Sequence, residues 1–394
     1  MSNLKYPFLG VGHRLTEDDI DSLKPVAFNS YTYTQGYYLN EFEDSFGMYI
    51  GADKSSCVAV SNAACAMEMI SDHVNLSKGD EVICTCHTYC ASVYPFLRSG
   101  ATIVWADIDK NTWLSEAEQI EKLITESTRV IVVVHLYGLP SDCTQSYTRW
   151  RNLGITIIED CAQALGAYIG NTHVGLLSDF SIFSFQSHKN ISTLGEGGML
   201  VIRETVYEQN IKLNRHNGHC EYSRDSNMYW RPAMINVIAP YNDHRIPHNF
   251  CLNEFSCAIG VRLLGQYDII LGQRKTNYSI ARKMTLDTPK LKMQHISPHK
   301  KSSYHLLPFR LEGYSTKEVD SVFSKMMYDY GVQCVKQYMP LYKYPLFQSG
   351  CPIRLIKNTE ADVFYDQMIS LPFHDGLHEA DIEYIIGSLI KCIQ

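Results

Sequence analysis

Lys189 closes the stretch Phe183-Ser-Phe-Gln-Ser-His-Lys189, which begins as an apolar strand run and leads into the glycine-rich turn Gly195-Glu-Gly-Gly198. A lysine with only structural duties sits more naturally on a solvated helix face. An amine at a strand end with polar residues around it is where an aldehyde cofactor could be held as a Schiff base. Two other stretches suit the same chemistry. Ile157-Ile-Glu-Asp160 puts a carboxylate at the end of an apolar run, where burial is costly unless the charge is paired. Asp160 reads either as a helix N-cap or as the counter-ion of a protonated ring nitrogen. Ser61-Asn-Ala-Ala64 follows the strand-like Cys57–Val60 and opens a helix, whose unpaired N–H groups and dipole favour a phosphate. Ser184 could add a hydroxyl donor to that phosphate.

The elements that must position these residues alternate. Apolar runs at Val82–Cys86, Thr102–Trp105, Val130–Val134, Ile155–Ile158 and Phe180–Phe185 read as strands, with helical segments such as Leu114–Ile124 and Tyr147–Leu153 between them. Strand and helix in alternation predict an α/β fold with a mainly parallel sheet and functional residues at strand ends. Before this region, Thr16-Glu-Asp-Asp19 opens a short helix that Pro25 should end, and Leu39, Phe42, Phe46 and Tyr49 recur at helical spacing up to a stop at Gly51. After it, a long helix from Asn253 to about Met284, strand-like Ser303–Leu311 and helices near Lys317–Tyr330 and Ala380–Ile393 suggest a small C-terminal α+β domain. The boundary is expected between a large domain, residues 1–252, and a C-terminal part, residues 253–394. The irregular stretch Asn217–His248 is too long for a simple connector.

Composition excludes several partners. The net charge of -7 and pI near 6.1 leave no basic footprint for nucleic acid. No segment offers about 18 consecutive apolar residues and the start has no apolar targeting region, so the expectation is a cytoplasmic protein with no membrane partner. Thirteen cysteines, an odd and scattered set, read as thiols. Cys84, Cys86, His87 and Cys90 invite a metal reading, but no second Cys-x-x-Cys pair closes a tetrahedral site, so no metal is expected.

Taken in order, Thr34-Gln-Gly36, Val60-Ser-Asn62, Val134-His-Leu-Tyr-Gly138, Ile158-Glu-Asp-Cys-Ala-Gln163, Phe183-Ser-Phe185 with Lys189, Gly195-Glu-Gly-Gly198, Asn249-Phe-Cys-Leu-Asn-Glu254 with Ala258-Ile-Gly260, and Leu371-Pro-Phe-His374 are similar to one family. The chain resembles, over nearly its whole length, the pyridoxal phosphate-dependent sugar aminotransferases of the DegT/DnrJ/EryC1/StrS family. The resemblance implies the fold type I architecture, with a mainly parallel, seven-stranded-type sheet flanked by helices. It also implies that Lys189 is the Schiff-base lysine, Asp160 the partner of the ring nitrogen, Gln163 the residue beside the ring hydroxyl and Tyr89 the stacking aromatic. Ser184 and the backbone of Ala63 and Ala64 match the phosphate cradle. Asn249 matches a phosphate contact from the neighbouring subunit, which implies a homodimer with shared active sites.

The implied activity moves an amino group from an amino acid, L-glutamate, to a keto-sugar, most simply nucleotide-linked, in amino-sugar biosynthesis. Tyr33, Thr34, His135, Tyr137 and His188 are candidates for the sugar site, though His135 also reads as a satisfied strand-end histidine and the tyrosines around Thr34 as cover for the core edge or a dimer interface. Three alternatives accompany this reading: a keto-sugar phosphate or keto-cyclitol as substrate, a keto-deoxy-sugar dehydratase in which His188 matters, and a catalytically silent ligand-binding protein. The chain departs from the family pattern in having Ala63-Ala64 in place of Gly-Thr, an extra residue at Leu194, and Cys251 where relatives have arginine. The long insertion before Asn249, with Tyr229-Trp-Arg-Pro-Ala-Met234, resembles a subgroup that includes an enzyme acting on a keto-sugar phosphate instead of a nucleotide sugar.

Overall fold

The computed structural model describes residues 4–204, 208–219, 246–354 and 359–394; the insertion around Tyr229–Met234 lies outside the described residues. Eight strands form the main sheet in the order β1 (Cys57–Val60), β9 (Gly198–Ile202), β8 (Phe180–Ser184), β5 (Thr156–Asp160), β4 (Thr128–Val134), β2 (Glu81–Thr85), β3 (Thr102–Ala106) and β13 (Ile353–Arg354). Every neighbouring pair is parallel except the two that β9 makes with β1 and β8. The expected seven strands are present, and two residues from far down the chain add an eighth at the edge.

The sequence of β4 shows why the sheet is buried on both faces. Val130, Val132 and Val134 pack with Met67, Phe96 and Trp105, while Ile131 and Val133 pack with Tyr147 and Trp150 on the other side. A strand covered twice needs such an unbroken apolar run. Cys84, Cys86 and His87 belong to the same buried interior, and the His87 Nε2 lies 2.7 Å from the Tyr137 hydroxyl.

Register then sets the site. Val134 pairs with Asp160 and Asp160 with Ile182, so the carboxyl ends of β4, β5 and β8 lie side by side. Side chains that follow those strands open onto one crevice, as expected for a parallel sheet.

A second, antiparallel sheet of β10 (Leu291–Met293), β12 (Leu307–Leu311) and β14 (Met368–Leu371) carries helices Thr316–Tyr328 and Glu379–Ile393, with its own core around Phe309, Met326, Ile385 and Leu389. A small ladder of β11 (Lys300–Lys301), β6 (Tyr168–Ile169) and β7 (Thr172–His173) joins the two parts of the chain. The helix Glu254–Gly265, on the C-terminal side of the expected boundary, packs against helix Tyr37–Ile50 in the core of the large sheet.

Three expectations change in detail. Pro25 does not end a helix; it starts a second one, Lys24–Asn29, where its missing N–H falls in the first turn and costs nothing. The long helix after Asn253 is two helices, Glu254–Gly265 and Tyr267–Met284, divided at Gln266. The break turns Tyr267 wholly inward, with its hydroxyl donating to the Leu165 carbonyl at 2.7 Å. The strand expected from Ser303 starts only at Leu307, because Ser303 is used elsewhere: its N–H reaches the Gly138 carbonyl at 2.9 Å and its hydroxyl the Gln163 carbonyl at 2.8 Å.

Candidate active site

Beyond β8 the chain folds back on itself before entering β9. Phe185 N–H donates to Gly197 O at 2.8 Å, Thr193 N–H to Phe185 O at 3.0 Å and Ser187 N–H to Gly195 O at 2.9 Å. Lys189 sits within this loop, its N–H bonded to Gln186 O at 2.8 Å. The extra residue, Leu194, has φ 63, a left-handed conformation that is strained for leucine, and Gly195 continues the turn at φ 111. The loop is clamped from outside by the N-terminal segment. Gly12 N–H donates to Ser187 O at 2.8 Å, buried Arg274 donates to Gly12 O at 2.7 Å, and a Cβ on Gly12 would stand 2.1 Å from the Lys189 carbonyl oxygen. Only glycine allows that approach.

Lys189 opens into a cavity of about 520 Å³ that Asp160, Gln163, Tyr89, Ser184, Ala63 and Ala64 also line. Burial pushes the Lys189 amine down to about 8, against the pull of Asp160 and Glu196, which favour its charged form. Asp160 is buried at the end of β5; its Oδ2 accepts from Ser92 Oγ at 2.7 Å and its Oδ1 from Ala162 N–H at 3.0 Å. The carboxylate is thus aimed by two neutral donors, and it keeps lone pairs for a ring N–H. Gln163 is fixed at both ends: its Oε1 accepts from Tyr137 N–H at 2.8 Å and its Nε2 donates to the Tyr338 hydroxyl at 3.1 Å. Tyr89 is largely exposed on the cavity wall, 6.4 Å from the Tyr338 ring.

The helix Ala63–Val74 begins at this cavity. Asn62 caps it by accepting from Cys65 N–H at 2.9 Å, leaving the first N–H groups free of intrahelical partners. Strand β9 presses against that start so closely that a Cβ on Gly198 would lie 2.5 Å from the Asn62 carbonyl carbon. The last glycine of Gly-Glu-Gly-Gly is therefore required for packing against the helix start. Donors for a phosphate, an amine for an aldehyde and a carboxylate for a ring N–H converge on one cavity, which fits pyridoxal phosphate without further assumption.

The candidate sugar residues divide. His188 is exposed at the cavity rim beside Lys189, with its N–H on Gln186 Oε1 at 2.8 Å. His135 touches the cavity but is fully buried; its Nδ1 accepts from Ser141 N–H at 3.0 Å, so its Nε2 carries the proton and faces Glu159 at 3.4 Å. That tautomer also argues against a metal at the grouping His135, Glu159 and Cys161, since Nε2 has no lone pair to give. Tyr137 is buried behind the cavity wall, bonded to Gln337 O and His87. Its backbone, at φ 62, does the site's work by holding Gln163. Tyr33 and Thr34 lie away from this cavity: Tyr33 is exposed against Phe255, and Thr34 pairs with Asn253. Asn249 is exposed and pairs with His216, outside the cavity of its own chain. Cys251 is half-buried and spans from Val60 to Arg215 O.

Residues not singled out from the sequence complete the walls. Ser92, Tyr338, His305, Phe373 and His374 line the cavity, as do Phe8, Leu9 and Val11 of the N-terminal segment. Leu371-Pro-Phe-His374 was a signal for two of them.

A model of the DegT/DnrJ/EryC1/StrS aminotransferase family matches residues 14–390. The chain belongs to that family. It is therefore a sugar-aminotransferase family member and a transaminase dependent on pyridoxal phosphate. It is 28% identical to GDP-perosamine synthase of Caulobacter vibrioides, covering 95% of each chain. It is 27% identical to UDP-4-amino-4,6-dideoxy-N-acetyl-beta-L-altrosamine transaminase of Campylobacter jejuni, covering 96% of each. Among solved structures, Helicobacter pylori PseC, an aminotransferase involved in the biosynthesis of pseudoaminic acid, superposes with a TM-score of 0.85 at 26% identity, over 98% of this chain and 99% of that one. Among the described residues no helix is long and apolar enough to cross a membrane.

Proposed function

We propose that this family member moves the amino group of L-glutamate to the ketone of a nucleotide-linked sugar, with pyridoxal phosphate attached at Lys189. The observation that carries the reading is the convergence of Lys189, Asp160 and the open start of helix Ala63–Val74 on one cavity. The cofactor, when bound, supplies the aldehyde that takes up the donor's nitrogen and the electron sink that stabilises charge left on carbon.

The chain's own residues do the rest. Asp160 holds a proton on the ring nitrogen, and Ser92 and Ala162 N–H keep that carboxylate aimed. Ala63 and Ala64 N–H groups with the Ser184 hydroxyl hold the phosphate; the absence of a threonine hydroxyl puts more of that duty on the backbone. Lys189 Nζ, once free, takes a proton from the donor carbon and returns one to the sugar carbon. Gln163, locked by Tyr137 N–H and Tyr338, flanks the ring hydroxyl. Tyr89 covers the ring face, and Phe8, Leu9 and Val11 exclude water on one side. His188 at the rim contacts the sugar. The GDP- and UDP-linked products named for two relatives support a nucleotide carrier. Free thiols support a cytoplasmic setting.

The test is a two-stage reaction. Resting enzyme given L-glutamate alone is expected to release 2-oxoglutarate in an amount matching the active sites, and a keto-sugar nucleotide added next is expected to emerge carrying nitrogen, as read by mass spectrometry. Failure of the first stage overturns the donor assignment. Turnover only with keto-sugar phosphates overturns the carrier, and a product without nitrogen that has lost a hydroxyl makes the protein a dehydratase.

Asn249, exposed outside its own chain's cavity, is assigned to the phosphate of a partner subunit, which makes the functional unit a homodimer with shared sites. Lys189→Ala and Asn249→Ala, each inactive, should then recover about a quarter of the normal activity when subunits of the two are mixed equally and exchange, because half the dimers regain one intact site. Exchanged heterodimers with no activity would show that the site is complete in one chain.

A further inference from the structure

His305 has a single tautomer set by its hydrogen bonds, and it lines the same cavity as Lys189. The neighbouring Asn190 uses both protons of Nδ2, one to the Tyr267 hydroxyl at 3.0 Å and one to Ser303 O at 2.9 Å. Tyr267 cannot reverse its bond, since its own proton goes to Leu165 O at 2.7 Å. Asn190 Oδ1 is therefore an acceptor, and the His305 Nδ1 that lies 3.0 Å from it must carry hydrogen. The unprotonated Nε2 has no hydrogen-bonding partner among the described residues. His305 and Lys189 line the main cavity together, and they share a second one of about 10 Å³ with Asn190 and Tyr267. Arg274, donating to the His305 carbonyl at 3.1 Å, fixes the backbone of the residue.

We propose that His305 is a positioning residue whose Nε2 accepts a hydrogen bond from the Lys189 ammonium whenever that amine is not bonded to the cofactor. The assignment rests on Lys189 being the cofactor's point of attachment. It explains why an imidazole is built with a locked, acceptor-only edge in a wall where a simple apolar side chain would fill the volume. Burial and the nearby positive charges of Lys189 and Arg274 hold His305 neutral, well below the ordinary histidine range, so the lone pair stays available while Lys189 is charged. The other groups that act on Lys189 are Asp160 and Glu196, which favour its charged form, and His188, whose own protonation is disfavoured by it.

The experiment uses protein loaded with pyridoxamine phosphate, in which Lys189 is free. Trace acetylation with acetic anhydride across pH, quantified on the Lys189 peptide by mass spectrometry, reads the titration of that amine. An acceptor favours the charged form, so His305→Leu should make the amine about tenfold more acidic, close to one pH unit lower in midpoint. His305→Gln, which can present an amide oxygen in the same direction, should restore most of the difference. Asn190→Leu, which leaves the histidine in place but frees its tautomer, should lower the midpoint in the same sense. An unmoved midpoint in His305→Leu overturns the proposal. Equal shifts in the Leu and Gln variants also overturn it, since they would report burial alone, and a normal midpoint in Asn190→Leu removes the lock. Borohydride reduction of the resting wild-type enzyme separates the two levels of inference. If Lys189 carries no reduced cofactor, the attachment site itself is wrong; if it does and the midpoints disagree with these expectations, only the role of His305 falls.

Discussion

Lys189→Ala should reduce turnover by at least roughly ten-thousand-fold and abolish borohydride-fixed cofactor, because it removes both the point of covalent attachment and the base that moves the proton between carbons. In the wild-type chain the amine is pushed down to about 8 by burial. Roughly a tenth of it is then neutral at pH 7, against fewer than roughly one in a thousand for an ordinary lysine. The sign is definite: the reactive form is the neutral one, so the rate at which added pyridoxal phosphate becomes attached should fall about tenfold per pH unit below that midpoint and level off above it. His188→Ala should keep the label and the glutamate half-reaction, and change at most the sugar half-reaction. A fixed label on any other lysine would overturn the assignment.

Asp160→Asn should cost about 4 kcal/mol of barrier, close to a thousandfold in turnover, since the shape survives and the charge that holds the ring proton does not. The hydrogen bonds from Ser92 and Ala162 N–H to the side chain would then meet an amide that presents only one acceptor, which misaligns it further. Cofactor binding should persist through the phosphate cradle, and its absorbance in the variant checks that the site is intact. Near-normal turnover in that variant would remove Asp160 from the chemistry.

Three parts of the candidate cofactor site, Lys189, Asp160 and the start of helix Ala63–Val74, could be singled out because each sits where a local sequence rule changes, whereas Gln163, Tyr89 and Asn249 came from the family resemblance alone. Asp160 ends an apolar strand run, Lys189 lies between such a run and a glycine-rich turn, and Asn62 caps a helix, so strand ends and a helix start could be read from pattern alone. What pattern could not supply was the third dimension of the walls. Ser92, His305 and Tyr338 come from turns whose only signals are a hydroxyl, a histidine and an aromatic in unremarkable positions, and they reach the cavity through pairings between distant segments. Tyr137 was legible as a residue of interest but not as a backbone one: its ring turns away, to His87 and Gln337, while its N–H holds Gln163. The strands at Thr102–Ala106 and Thr128–Val134 were visible because burial on both faces leaves a continuous apolar run. The two-residue β13 was invisible for the opposite reason, since two residues carry no period.

That short strand bears on how the protein is made. Ile353 lies against Ile103, and Arg354 reaches across to Glu81 at 3.1 Å, so the main sheet closes with residues that leave the ribosome some 250 positions after the strand they join. Loop closure over such a span is entropically unfavourable until the intervening segment has itself collapsed, and it slows assembly. Until then the outer rim of Thr102–Ala106 offers a row of unpaired N–H and carbonyl groups to any passing strand. During synthesis the nascent chain is therefore at its most aggregation-prone in the interval when the large sheet has formed and its last two residues have not yet arrived.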